Sequence, residues 1–190
     1  MIGKFGLRAP LLALLVLALP WPSAAEGPGT VPETLEHEGF QGVIARAGNT
    51  YISGQPTADG LAWAKKQGVI TVVNLRTQRE MDNRNRVPYD EAAKAKELGL
   101  AYVHIPLGGD DTPYTPAAVD AFAKAVENAD GKVLLHCTIA WRASHMWAAY
   151  LVKHKGMSVD EAITNAKAIN FGGLPLADLL DKELTLKDKK

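Results

Sequence analysis

One short run, His136-Cys137-Thr138-Ile139-Ala140-Trp141-Arg142-Ala143-Ser144, carries the residue types most able to do chemistry. It holds the only cysteine of the chain, with an arginine five positions later. Lys132-Val133-Leu134-Leu135 before it reads as a strand, and the stretch from Arg142 to about His154 after it reads as a helix. A thiol between a strand end and a helix start meets loop amides and a helix N-terminus, which attract an anion and lower a thiol pKa. Arg142 adds a planar fork for two oxygens of an oxyanion. The chemistry that this set suits is displacement at a bound oxyanion by a sulfur nucleophile, or carriage of a sulfane sulfur.

The alternative for Cys137 is buried filler, since a free cysteine packs as a small apolar residue. Its place at the C-terminal end of a strand, where α/β folds put their ligands, argues for function. His136 is read as a supporting residue, a core histidine bonded to backbone that keeps the loop in shape. Ser144 is a candidate to hydrogen-bond the sulfur, and equally an ordinary helix serine. Arg76, Arg79, Arg84 and Arg86 form a charged segment with Glu80 and Asp82. Arg76 is its candidate for the anion site, although a solvated loop is the reading favoured for the segment. His37, His104, His145 and His154 have no metal-site spacing, so no metal and no cofactor are assigned.

The elements that must hold this loop follow from periodicity. Val43–Arg46 and Tyr51–Ser53 flank Gly48-Asn49 and predict a hairpin. Thr57 or Asp59 caps a helix running to about Gln67. Val69–Leu75 is a nearly continuous β-branched run, as in a strand buried on both faces. A helix from Pro88 to Leu98 and a strand at Ala101–Ile105 come next. Thr115-Pro116 opens a helix to about Asn128. After the cysteine loop, Ser158 and Glu161 make a capping box for a helix to about Ala168, and a last helix covers roughly Leu176 to Leu186. Alternating strands and helices predict an α/β fold with a central, mostly parallel sheet flanked by helices on both faces.

Lys4 and Arg8 precede an apolar run from Leu11 to Leu19, then Pro20-Trp21-Pro22 and Ser23-Ala24-Ala25. This is the layout of a secretory signal, with cleavage expected after Ala25. The uncharged stretch Ala9–Ala25 has 17 residues and three prolines. A spanning helix needs about 20 apolar residues, so a retained anchor is the lesser alternative, and no membrane span is expected once the signal is cleaved. The organisation expected is a signal at 1–25, a flexible Gly/Pro/Glu-rich leader at 26–40 and one domain at 41–190, working in a bacterial periplasm or outside the cell. The whole chain has 21 basic and 21 acidic residues; losing Lys4 and Arg8 leaves 19 against 21, a charge of −2. Without a basic excess, nucleic acid is not an expected partner. The oligomeric state is not legible.

The cysteine loop after its Val-Leu-Leu strand resembles the cysteine-dependent phosphatases of dual-specificity type. It is most similar to a bacterial branch related to the phosphatase-like part of beta-lactamase-hydrolase-like proteins. The resemblance extends to Tyr51–Thr57, to Gly68–Arg76 and to Gly99–Pro106, and covers roughly residues 40 to 175. It implies phosphate-monoester hydrolysis through a phosphocysteine on Cys137, with no metal. Amides of the segment Thr138, Ile139, Ala140, Trp141, Arg142 and Ala143, with the Arg142 side chain, would bind the phosphoryl oxygens. An aspartate of Gly108-Gly109-Asp110-Asp111-Thr112-Pro113 would be general acid and base, with Asp111 the better match and Asp110 the alternate. An acidic turn without catalytic work is the competing reading of that segment. The partner implied is a phosphorylated protein or small molecule.

Two features depart from the dual-specificity pattern. Four residues separate Cys137 from Arg142 where those enzymes have five; four is the spacing of the bacterial branch and of rhodanese sulfurtransferases. Ala140 and Trp141 also replace a glycine and a small or polar residue. If position 140 has φ > 0, alanine there costs on the order of 1 kcal/mol. Trp141 shields the site, stacks on an aromatic substrate or packs along the helix, and packing is favoured. The rival readings are a rhodanese-like sulfurtransferase using a Cys137 persulfide, and a non-catalytic pseudophosphatase that binds anionic partners.

Overall fold

The computed structural model describes residues 30–173 and 175–184. The expected signal segment, the first four residues of the leader and the charged tail lie outside the described residues. The strands are β1 (Glu33–Leu35), β2 (Ile44–Ala47), β3 (Thr50–Ser53), β4 (Val69–Asn74), β5 (Ala101–His104) and β6 (Lys132–His136). The helices are α1 (Ala58–Lys66), α2 (Gln78–Met81), α3 (Glu91–Glu97), α4 (Pro116–Glu127), α5 (Trp141–Lys155), α6 (Val159–Lys167) and α7 (Pro175–Leu180).

One sheet runs in the order β1-β2-β3-β6-β4-β5. β3, β6, β4 and β5 are parallel, while β2 pairs antiparallel with both β1 and β3. The expected hairpin at Gly48-Asn49 therefore forms, and the mostly parallel sheet with it. Part of the segment expected to be loose is ordered: Glu33–Leu35 is an edge strand whose partners are Ile44, Ala45 and Arg46. Backbone pairing there outweighs the poor strand composition.

Two apolar cores sandwich the sheet. One contains Phe122 of α4, Met146 and Trp147 of α5 and Leu176 of α7, packed on Ile52, Val73 and Leu135. The other sets Leu61 and Ala64 of α1 and Ala95 of α3 against Tyr51, Val72 and Leu134. β6 is buried along nearly its whole length, which is why its sequence is continuously apolar rather than alternating. The helix starts are those their caps predict: Thr57, Thr115 and Ser158 each accept from a backbone N–H of the first turn, and Ser158 completes its box with Glu161. Asp90 caps α3, which begins three residues after the expected start at Pro88. The periodicity does not predict α2; Thr77 and Glu80 form a capping box for this single turn.

The strand register sets the place of the cysteine. Ser53 of β3, His136 of β6, Asn74 of β4 and His104 of β5 stand side by side at the carboxyl ends of the four parallel strands. Cys137 is thus the first residue beyond the middle of the sheet, where helices on both faces can supply groups to it.

Candidate active site

The loop from Cys137 to Arg142 is tied to the scaffold by its backbone. The Cys137 N–H donates to Ser53 O at 3.3 Å, Gln55 N–H donates to Thr138 O at 2.9 Å, and Asn170 Nδ2 donates to Ile139 O at 2.7 Å. Cys137 is buried, with 1 % exposure, at the floor of the site. Ile139 at the loop's crest is 51 % exposed, an unusual position for a large apolar side chain. Ala140 has φ 66° and ψ 0°, so it is a buried left-handed alanine immediately before α5. This turn directs the chain from the loop into the first turn of α5, where Arg142 sits. The strain expected of a non-glycine residue there is present.

Arg142 is held from several sides. Its Nη1 donates to Glu80 Oε2 at 2.8 Å, to Leu107 O at 2.7 Å and to Leu75 O at 3.3 Å. Its Nη2 donates to Glu80 Oε1 at 2.6 Å and to Thr138 Oγ1 at 3.1 Å. Thr138 Oγ1 in turn donates to Glu80 Oε1 at 2.9 Å. None of these bonds uses Nε, so that edge of the guanidinium is the one left to meet an anion. Burial opposes the charge on Glu80, but the hydrogen bonds from Arg142 and the Thr77 backbone, with the Arg142 charge, hold its carboxyl at about 2. The Thr138 side chain therefore belongs to the scaffold of Arg142, and only its backbone N–H is left for a ligand.

Arg76 is fully buried, contrary to the solvated loop favoured from sequence. Its Nη1 donates to Gln55 Oε1 at 2.6 Å and its Nε lies 3.6 Å from Glu80 Oε1. Its Nε and Nη2 have no hydrogen-bond partner. The β4 strand delivers it, since its own N–H bonds Asn74 Oδ1 at 2.8 Å. Burial lowers its pKa, and the neighbouring Glu80 carboxylate opposes that shift. Arg79, Asp82, Arg84 and Arg86 are exposed, as a solvated segment requires.

The His136 side chain does not bond backbone as expected. Its Nε2 pairs with Glu91 Oε1 at 2.8 Å, and both side chains are fully buried. Glu91 opens α3 and also accepts from Tyr102 Oη at 3.1 Å and from Gln55 Nε2. Burial opposes its charge, yet His136 and these donors hold the carboxyl below its usual range. Gln55 thus bridges Glu91 to Arg76, and a buried polar chain runs beneath the cysteine loop. Glu80, Gln55 and Glu91 are site residues that sequence reasoning misses. The signals available were the Thr77–Glu80 capping spacing and a glutamate one residue after the Asp90 cap.

The remaining expected residues divide. Ser144 Oγ lies 2.8 Å from Trp141 O and 2.9 Å from Asn170 O, so it serves the carbonyls and not the sulfur. Trp141 packs along the helix, 4.8 Å from the His145 ring and against Gly173, with its indole N–H donating to Gly172 O. That packing, and the burial of Ala143, leave only their backbone for binding. Asp110 and Asp111 are exposed on the Gly109–Thr112 turn. Asp110 lines an open cleft of about 720 Å³ together with Gly108 and Tyr114, and Asp111 is outside that lining. Neither Cys137 nor Arg142 lines that cleft, so Asp111, the better match to the family pattern, and Asp110 both stand as candidates for the general acid.

Residues 43–180 match the family described as DSP-PTPase phosphatase fused to NAD+ kinase. The chain belongs to this phosphatase family. It is also 34 % identical over 123 residues to a beta-lactamase hydrolase-like protein of Xylella fastidiosa, covering 64 % of this chain and 28 % of that one. The chain thus spans under a third of the length of the curated relatives it matches. Among solved structures, a putative phosphatase from Shewanella putrefaciens CN-32 superposes with a TM-score of 0.59 at 25 % identity, over 75 % of this chain and 90 % of that one. The TpbA protein of P. aeruginosa, solved in complex with pTyr, superposes with a TM-score of 0.51 at 19 % identity, over 77 % and 80 % of the two chains. A cysteine-phosphatase fold and a phosphatase-type domain are therefore established for this chain.

Proposed function

We propose that the chain hydrolyses phosphate monoesters, of the tyrosine or dual-specificity kind, through a phosphocysteine on Cys137. The observation that carries this reading is Arg142 pinned beside the Cys137 loop by Glu80 with its Nε edge uncommitted. The Cys137 thiolate attacks phosphorus as the bond to the ester oxygen breaks. Asp111, or Asp110 as the alternate, gives that oxygen a proton. Water then attacks the phosphocysteine, the same carboxylate takes its proton, and inorganic phosphate leaves. The pTyr complex of TpbA supports a phosphorylated substrate of this general kind.

The test is turnover of para-nitrophenyl phosphate by residues 26–190, kept reduced, beside the Cys137→Ser variant. Turnover by the first and none by the second is expected. A folded protein with no turnover would overturn the phosphatase reading for this substrate and shift the weight to sulfur transfer or to anion binding without catalysis. We also propose export to a periplasm or the medium, from the N-terminal residue pattern; recovery of the protein only in a cytoplasmic fraction would contradict it. No helix of the described residues is long and apolar enough to cross a membrane.

A further inference from the structure

Tyr114 is not announced by the Cys–Arg pattern, yet the fold delivers it to the same place. It follows the Gly109–Thr112 turn and immediately precedes Thr115, the cap of α4. Its ring packs, partly buried, against the core cluster that contains Cys137 and Ala140. The position where a Cβ on Gly108 would stand lies 2.9 Å from the Tyr114 hydroxyl and 3.7 Å from Arg142 Cδ. Phenol and guanidinium stem therefore converge on one backbone position. Gly108 has φ +92°, and only a residue without a side chain leaves room for that approach.

Among the described residues, the hydroxyl makes no hydrogen bond. Tyr114 lines the cleft that Asp110 and Asp178 also line. A half-buried phenol beside a cation, with no protein acceptor, is a donor lacking its acceptor. Burial raises its pKa, with Arg142 pulling the other way, so the proton stays on the oxygen through the neutral range.

We propose that Tyr114 is a substrate-contacting residue, donating a hydrogen bond to the oxyanion that Arg142 holds. The inference rests on the reading of Cys137 and Arg142 as an anion site and adds to it a neutral donor on the cleft side. The proton remains on Tyr114 throughout, so the residue binds and orients the anion and leaves acid–base work to the aspartate turn. Tyr114 approaches from the loop before α4, whereas the loop amides come from the segment after β6. An anion gripped from both sides has a fixed orientation toward the sulfur.

The experiment is calorimetric binding of tungstate, a tetrahedral oxyanion, to the Cys137→Ser protein and to the same protein carrying Tyr114→Phe, alongside para-nitrophenyl phosphate kinetics with Cys137 intact. Tyr114→Phe keeps the ring and its packing, and equal thermal midpoints would establish that folding is intact. The tungstate Kd is expected to rise about tenfold, the size of one lost hydrogen bond to an anion. An unchanged Kd in a protein that binds tungstate and turns over substrate overturns the role of Tyr114 and leaves the phosphatase reading standing. Weaker binding by the variant, in a protein that turns nothing over, keeps Tyr114 and removes the phosphatase. Absence of tungstate binding by the parent overturns both.

Discussion

Glu80 takes the end of the Arg142 guanidinium with two bonds, Nη2 to Oε1 at 2.6 Å and Nη1 to Oε2 at 2.8 Å. The pair spans two elements distant in sequence, the capping box of α2 and the first turn of α5. Its consequence is orientation. An unsupported arginine side chain has many rotamers, and this one has been reduced to a single pose before any ligand arrives.

Glu80→Gln should therefore act on catalysis more than on folding. The amide keeps the shape but offers only one acceptor to a bidentate fork, and Arg142 gains freedom at the reacting centre. A fall in kcat/KM of roughly 100-fold is expected on para-nitrophenyl phosphate, the scale of a misplaced catalytic group. Parallel thermal melts should move little. Unchanged kcat/KM would show that Arg142 finds its pose without Glu80.

The same pair makes a prediction in acid. The Glu80 carboxyl sits at about 2 against an ordinary 4.5, so its folded pKa is depressed. A depressed carboxyl contributes stability that is complete above the unfolded pKa and is lost as pH falls through the folded one. Its contribution should be constant near neutrality and drain away from about pH 4.5 down to about pH 2. The urea midpoint of the parent should thus fall more steeply over that window than the midpoint of Glu80→Gln. Parallel curves would mean that the carboxyl is not held as low as the geometry implies.

Ala140→Gly tests the strained turn. Ala140 is buried at φ 66°, a conformation that costs a residue with a Cβ on the order of 1 kcal/mol and costs glycine nothing sterically. Part of the gain is offset because glycine loses more freedom on folding. The net expectation is a stabilisation of several tenths of a kcal/mol, read as a rise in Tm of about 1–3 °C for a domain of this size. A fall in Tm would mean that the packing of the Ala140 methyl outweighs the strain.

The strand-and-helix alternation, the caps at Thr57, Thr115 and Ser158, and the cysteine loop are all legible in the sequence, because each is a local signal. The partners of the loop are not. Arg76 and Glu80 follow a strand in a run of charges that reads as solvated, and only the crossover from β4 past α2 carries these two inward while Arg79 and Arg84 stay outside. His136 and Glu91 are 45 positions apart, and nothing in either residue's neighbourhood announces the other. Trp141 illustrates the reverse: packing along its helix is the plainer expectation for such a residue, and it is the arrangement observed, against Gly173.

Glu91 offers the sharpest test of that hidden layer. Its carboxylate is fully buried, pairs with His136 at 2.8 Å and accepts from Tyr102 and Gln55. Removing it leaves His136 Nε2 and the Tyr102 hydroxyl without their acceptor, and the imidazole's Nδ1 already lacks a partner. Breaking a buried pair from one side typically costs about 3–5 kcal/mol. Glu91→Ala should therefore lower the free energy of unfolding by that order in urea titrations. Glu91→Gln, which keeps the volume and one acceptor, should recover a good part of it. Because the chain beneath the loop continues through Gln55 to Arg76, Gln55→Ala should couple to Glu91→Ala, the double variant losing less than the two single losses together. Additive losses would mean that the two residues stabilise the fold independently, and that no continuous network underlies the cysteine loop.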